Sequence, residues 1–312
     1  MRAVVISAFG GPEVLAVAEV EPPVPGPGQV RVQVAAAAVN PTDALLRSGA
    51  QQAFLGDLPG PYIPGMDLAG VVDQVGEGVT ALHPGDRVMG AVSPWRPAGG
   101  AQAALVALPA ASLVATPEGM SDEDACTLPM NGLTVHSALS TLALGPGDTI
   151  AVFGAAGAIG GMSVQQAKAR GLNVVAVASD ADRETVEAMG ADLFVARGDD
   201  AARIVRDETR GGVDGIIDAA KLGQSMLAAA RDEGHVVTLM PFTGATERGI
   251  VIDRVFVIDD LEKAEAVAEV GELAARGVLT PRVAQVLAPE QAGDAHRMLG
   301  RGGLRGRPVI TF

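Results

Sequence analysis

Residues 149–170 read TIAVFGAAGAIGGMSVQQAKAR. The apolar run 149–153 predicts a buried strand, and 154–160, Gly-Ala-Ala-Gly-Ala-Ile-Gly, predicts a tight turn. A helix follows with Ile159, Val164 and Ala167 on its apolar side. Strand, glycine turn and helix in this order form the dinucleotide-binding unit, here in the degenerate form A-x-G-x-x-G with Ala155 in place of the first glycine. Gly157 lets the backbone approach a pyrophosphate, and Gly160 lets the helix pack on the strand. The helix start offers free N–H groups and a positive dipole end. Ala155, Gly157, Ala158, Ile159 and Gly160 are therefore candidate pyrophosphate contacts. An ordinary strand–helix turn would show similar residues, so the flanking sequence decides.

Downstream, strands at 149–153, 173–178, 193–195, 215–218 and 236–239 alternate with helices beginning near Ala158, Asp182, Asp199 and Gln224. That alternation predicts a parallel sheet covered on both faces. A further strand is expected at 255–258, then helices at 260–276 and 289–299 and a last strand at 308–312. Residues 1–118 have another texture. Short apolar or alternating runs at 14–20, 29–37, 68–75, 86–91 and 101–108 are separated by Pro- and Gly-rich turns, the signature of a barrel-like all-β domain. One helix interrupts it at 42–47, with Pro41 suited to its first turn and Asp43 and Arg47 spaced for an i,i+4 pair. Ser121, followed by three acidic residues, reads as a capped helix start.

The net charge of −14 and a pI near 4.7 argue against nucleic acid as the main partner, since phosphate neutralisation needs a basic face. No apolar run approaches the ~20 residues that span a bilayer, so no membrane partner is expected. The start, MRAVVISAFGGPEVL, reads as a first strand rather than a signal peptide. The single cysteine, Cys126, precludes an internal disulfide and a thiolate metal cluster and is expected to be an inert core residue. The expected compartment is the cytoplasm. Tyr62 and Trp95 are each unique, so any pocket is lined mostly by aliphatic groups.

Together, AAAAVNPTDALLRSG at 35–49, PGMDLAGVVDQVGEGVTALHPGDRVMG at 64–90, LPMNGLTVHSAL at 128–139, GAAGAIGG at 154–161, AARGVLTPRV at 274–283 and GGLRGRPVITF at 302–312 resemble the zinc-independent quinone oxidoreductase branch of the medium-chain dehydrogenase/reductase superfamily. The resemblance covers nearly the whole chain. It implies a GroES-like β-barrel catalytic domain, 1–118 completed by 259–312. It also implies a Rossmann NADP(H)-binding domain of doubly wound parallel sheet at 119–258, with cofactor and substrate meeting in the cleft between the two. It further implies a homodimer in which strand 255–258 pairs with its copy. Zinc-dependent relatives carry a catalytic Cys near Asn40, Gly-His-Glu where this chain has Gly65-Met66-Asp67, and a four-cysteine lobe. With one cysteine and scattered histidines at 83, 136, 235 and 296, no metal is expected.

Within that resemblance, Asn40 is expected beside the nicotinamide ribose and the substrate carbonyl, as cofactor contact and catalytic residue. An Asn there also suits the cap of the helix it precedes. Thr134 is expected near the nicotinamide or its phosphates, and Met240 and Pro241, at the end of the fifth strand, near the carboxamide. Arg307 is expected near the pyrophosphate. Ser179, Arg183 and Arg197 would hold a 2′-phosphate and select NADPH over NADH, whereas Asp180, a carboxylate close to the end of the second strand, suits NADH. Tyrosines that relatives carry after Asn-Pro and Gly-Gly are replaced here by Ala44, Leu45, Ala101 and Ala104. The expected activity is NADPH-dependent hydride transfer to a quinone or similar small conjugated carbonyl. The alternatives are an enoyl or enone reductase of lipid or polyketide metabolism, and a non-catalytic NADPH-binding protein.

Overall fold

The structure is a computed structural model that describes residues 1–312. In chain order, β1 (Arg2–Ile6) and β2 (Leu15–Glu19) are followed by β3 (Gln29–Ala38), α1 (Pro41–Arg47), β4 (Asp67–Val75), β5 (Arg87–Ala91), β6 (Leu105–Pro109) and β7 (Leu113–Ala115). Then come α2 (Asp122–Ala125), α3 (Pro129–Leu142), β8 (Thr149–Phe153), α4 (Ala158–Ala169), β9 (Asn173–Ala178), α5 (Arg183–Ala188), β10 (Leu193–Ala196), α6 (Ala201–Glu208) and β11 (Val213–Asp218). The chain closes with β12 (Ala230–Thr238), β13 (Val251–Arg254), α7 (Ala264–Ala275), β14 (Val283–Leu287), α8 (Ala292–Arg301) and β15 (Arg307–Thr311).

The chain packs as two units, one of Met1–Met130, Ile258–Gly277 and Pro281–Phe312, the other of Asn131–Val257 with Val278–Thr280. Residues 119–130 pack with the first unit, where Arg87 reaches Asp122 at 2.6 Å and the Met130 amide reaches Asp67. In the first unit, strands follow the order β14-β15-β3-β4-β5-β7, and β6 also pairs with β3. The ten-residue β3 is its centre. On one edge Gln29–Gln33 pair with β6 and Ala36–Ala38 pair with β15, so the C-terminal strand completes a sheet begun by the N-terminal third. Its inward Val30, Val32 and Val34 meet Leu68, Val72, Val88 and Leu108 in one apolar core. Gly70 on β4 allows close approach of β3, because a Cβ there would lie 2.1 Å from the Gln33 carbonyl oxygen.

The second unit is a parallel sheet in the order β10-β9-β8-β11-β12-β13. Counted from β8, this is the doubly wound order 3-2-1-4-5-6, whose topological switch point lies between β8 and β11. Near-continuous apolar strands such as Ile150–Phe153 and Val174–Ala178 are buried on both faces, as covered parallel strands require.

Two expectations are corrected. The strand expected at 255–258 lies earlier, at β13, which pairs with β12 from His235↔Val251 to Thr238↔Arg254. The ladder ends where Val255 N–H donates to Thr238 O at 3.1 Å, and 257–260 tighten into a 3₁₀ turn. The apolarity of Val255 reflects burial rather than pairing. The Asp43–Arg47 pair does not form. Asp43 turns inward, while Arg47 donates to His296 Nδ1 at 3.2 Å and to Gly10 O.

Candidate functional site

The turn after β8 is built by three glycines with different duties. Gly154 has φ +80°, a left-handed conformation open to glycine, and its Cα faces the Ala219 backbone. Gly157 is the N-cap of α4, extended, with no side chain to cap the helix. Gly160 stands so close to the turn that a Cβ would lie 2.1 Å from the Gly154 oxygen. Gly154 and Ala155 both donate to Val177 O, fixing the turn to β9, and the first helical bond runs from Gly161 to Gly157. The amides of Ala158, Ile159 and Gly160 therefore open the helix ahead of its ladder, the arrangement that receives a phosphate. These backbone groups, at the switch point of the sheet, fit a dinucleotide pyrophosphate.

At the ends of β9 and β10 the structure gathers Ser179, Arg183 and Arg197. Ser179 follows Ala178, whose carbonyl takes the Arg197 amide at 2.7 Å. Arg183 begins α5, its guanidinium 4.0 Å above the Phe194 ring and within 3.8 Å of Asp180 and 3.7 Å of Glu187. Stacking on Phe194 holds a cation at a helix start, where the dipole opposes it. Arg197 and Asp180 are exposed.

At the ends of β11 and β12 lies a cleft of about 390 Å³ whose lining includes Asp218, Lys221, Thr238, Met240, Pro241 and Phe242. The buried Asp218 carboxylate accepts the amides of Ala220, Leu222 and Gly223 at 3.0–3.1 Å. That turn puts Lys221 at φ +60° on the cleft wall. Neither residue was expected from sequence. An Asp at a strand end followed by small residues and Gly is an Asx-turn signal that would have found the first.

Asn40, Asp43, Asp67, Gln102 and Arg307 converge in the first unit, all buried. Asn40 precedes α1, and its backbone N–H donates to Asp43 Oδ2 at 2.8 Å, while Gly65 N–H donates to Asp43 Oδ1 at 2.8 Å. Asn40 Nδ2 donates to Asp67 Oδ2 at 2.7 Å, and Met130 N–H to Asp67 Oδ1 at 2.6 Å. The Asn40 side chain is thus used on Asp67, not as a helix cap. Burial pushes Asp43 up to about 6 and Asp67 up to about 7, against the pull of these amides and of Arg307. Burial likewise lowers Arg307 to about 10, opposed by Asp67 and Asp43. Arg307, expected near a pyrophosphate, is enclosed beside two carboxylates. Thr134 is buried on α3.

These groups do not fit zinc. Cys126 is buried with its thiol pushed well up by desolvation, and no three His, Cys, Asp or Glu side chains gather in ligand geometry. No helix is long and apolar enough to cross a membrane.

The family model of the alcohol dehydrogenase GroES-like domain matches residues 26–118, and that of the zinc-binding dehydrogenase matches 158–257. The chain is 32% identical over 247 residues to a probable quinone oxidoreductase of Schizosaccharomyces pombe, covering 78% of this chain and 72% of the relative. It is 36% identical over 181 residues to a quinone oxidoreductase of Pseudomonas aeruginosa, covering 57% and 52%. The match to the pikromycin polyketide synthase component PikAII of Streptomyces venezuelae is 38% over 168 residues, 54% of this chain and 4% of that protein. The chain thus spans about half of the Pseudomonas relative and a small part of the synthase. Among solved structures, an NAD-dependent alcohol dehydrogenase superposes with a TM-score of 0.87 at 29% identity over 100% of both chains. A mycobacterial protein solved in complex with NADPH superposes with a TM-score of 0.84 at 26% identity, again over 100% of both.

Fold and site define a nicotinamide-dinucleotide oxidoreductase scaffold, a GroES-like domain joined to a Rossmann domain. The chain belongs to the medium-chain dehydrogenase/reductase superfamily, in its quinone oxidoreductase branch.

Proposed function

We propose that this protein is an NADPH-dependent, zinc-independent reductase that delivers hydride to a quinone or similar conjugated carbonyl. The observation that carries the reading is the Gly154–Gly160 turn at the switch point of the sheet, where the first amides of α4 lie open behind an N-cap glycine and Gly160 packs on the turn backbone at a point where a Cβ has no room. The amides of Ala158, Ile159 and Gly160 hold the pyrophosphate. Ser179, Arg183 and Arg197 hold the 2′-phosphate, with Arg183 kept in place by Phe194. We assign Met240, Pro241 and Thr134 to the nicotinamide of the bound cofactor, and Asn40 to the nicotinamide ribose and the substrate carbonyl. When bound, NADPH supplies the hydride, from C4 of its nicotinamide. A hydroquinone anion collects its proton from water, so the protein's work is to bind, orient and desolvate. A second copy of the chain would pair along the edge strand β13.

The similarity to a polyketide synthase component favours one second reading, an enoyl or enone reductase on the same scaffold. NADPH oxidation measured with 1,4-benzoquinone, 9,10-phenanthrenequinone, an enone and crotonyl thioester side by side decides between them. Turnover on quinones alone is expected. NADPH binding without turnover on any acceptor would overturn the enzymatic reading.

The cofactor assignment has its own test. Arg183→Ala combined with Arg197→Ala should raise KM for NADPH about 10- to 100-fold, as loss of two charge-assisted contacts implies, and leave KM for NADH within about twofold. Equal changes for both cofactors would refute it.

A further inference from the structure

The buried cluster of the first unit leaves the carbonyl oxygen of Asn40, Oδ1, without a hydrogen bond. Asn40 is fully enclosed, so this acceptor is an expensive one to leave idle. The two ends of its carboxamide are in opposite situations. Nδ2 donates to Asp67 Oδ2 at 2.7 Å, while Oδ1 accepts nothing. The other Asp67 oxygen takes the Met130 amide at 2.6 Å. Ionised Asp67 is thus met by two donors, and this pins the amide of Asn40 toward the carboxylate and frees its oxygen.

The charged and titratable groups around Asp67 are few. Asp43 on α1 accepts Asn40 N–H, Gly65 N–H and, at 3.4 Å, Gln102 Nε2, so its charge is held by three donors. Arg307 at the start of β15 is the cation facing both carboxylates. Cys126, after α2, is a neutral thiol. Asp67 is therefore the member most ready to take a proton, and desolvation already places its carboxyl at about 7. A proton on Oδ2 cannot face the NH₂ of Asn40, because both would donate. Turning the Asn40 carboxamide over brings Oδ1 to that O–H and sends Nδ2 to the place the idle oxygen held.

We propose that Asp67 is a positioning residue whose charge decides which end of Asn40 is offered to a bound ligand. Ionised Asp67 leaves Asn40 an acceptor, suited to a ligand hydroxyl; protonated Asp67 makes it a donor, suited to a carbonyl. The ligand half of this inference rests on the role given to Asn40 above. The switch itself rests on the hydrogen-bond geometry of the cluster and the burial of its carboxyl groups.

Two measurements test it. In the ¹⁵N-labelled protein without ligand, the Asn40 side-chain amide signal, identified by its loss in Asn40→Asp, should titrate with a midpoint between roughly pH 6 and 8. In Asp67→Asn it should be independent of pH, because the new amide keeps its oxygen for Met130 N–H and sets its NH₂ against Asn40, imitating the protonated form. A flat titration of that signal in the wild type overturns the switch. Next, the dissociation constant of NADPH is followed by fluorescence from pH 6 to 9. The wild type should change about fivefold or more through the same midpoint, the scale of one hydrogen bond, and Asp67→Asn should be flat. A variant that keeps the wild-type profile overturns the positioning role. Absence of any NADPH or NADH binding by the wild type overturns the functional reading and the ligand half together, while the amide titration still decides the switch.

Discussion

Arg307→Leu is expected to lower the melting temperature sharply and to make the remaining stability fall as pH rises. Asp43 and Asp67 have carboxyls raised to about 6 and about 7 from an ordinary 3.8, so the folded chain keeps protons that the unfolded chain releases. Their contribution to stability is fully present below about pH 4 and is lost as pH rises through 6 and 7. Arg307 limits that loss, because its guanidinium attracts both carboxylates. Without it, two enclosed carboxylates face each other unopposed, a defect of about 3–5 kcal/mol. That corresponds to roughly 10 °C in a chain of this size. The buried His296 works the other way. Burial first, and then Arg47, lower it to about 4 from 6.5, so it costs stability as pH falls from about 6.5 to 4. Both proteins share His296, so the difference between wild type and variant isolates the carboxylates. Urea unfolding at pH 5 and pH 8 checks this. A variant equally destabilised at both would show that Arg307 acts through packing rather than charge.

Gly160→Ala and Gly157→Ala are expected to fail in different ways. At position 160 the new Cβ would lie 2.1 Å from the Gly154 oxygen, 2.7 Å from its carbonyl carbon and 2.8 Å from Ala155 Cα. All three are backbone atoms, so relief requires moving the turn that fixes α4 to the sheet. Overpacking of this kind costs about 1–3 kcal/mol, and a rigid turn puts it at the upper end. At position 157 the nearest atom is the Gly154 oxygen at 3.3 Å, a contact that a small shift relieves. Gly157→Ala should therefore fold with a nearly normal melting temperature and lose dinucleotide affinity by about tenfold or more, because its methyl group occupies the approach to the helix N-terminus. Calorimetry paired with a fluorescence titration of NADPH separates the two. The reverse pattern, an intact Gly160→Ala that binds poorly and an unfolded Gly157→Ala, would exchange the roles given to these glycines.

Much of the second unit was legible because its signals are local. A strand-length apolar run, a turn of small residues and a helix with small apolar residues on one side need only neighbouring positions, and β8, α4 and β9 fall where the periodicity places them. The edge strand was misplaced because an apolar run reports burial, and Val255 is buried without being paired. Ser179, Arg183 and Arg197, to which we assign the 2′-phosphate, were named from sequence residue by residue. That Phe194 carries Arg183 was not, since a ring on one strand and a cation on a preceding helix have no sequence spacing that joins them.

By itself the sequence determined the order of the two domains, the dinucleotide turn and the family, because each is written in short stretches whose backbone demands are local. Only the tertiary structure decided what Asp43, Asp67 and Arg307 do. Asp43 stands four residues before Arg47 and reads as half of a helical ion pair, yet folding turns it inward to the amides of Asn40 and Gly65. Arg307 lies in a cluster with Arg301 and Arg305 and is expected from sequence near a pyrophosphate. The pairing of β15 with β3 carries it into the interior, beside carboxylates more than two hundred residues away, where a low dielectric makes each charge matter.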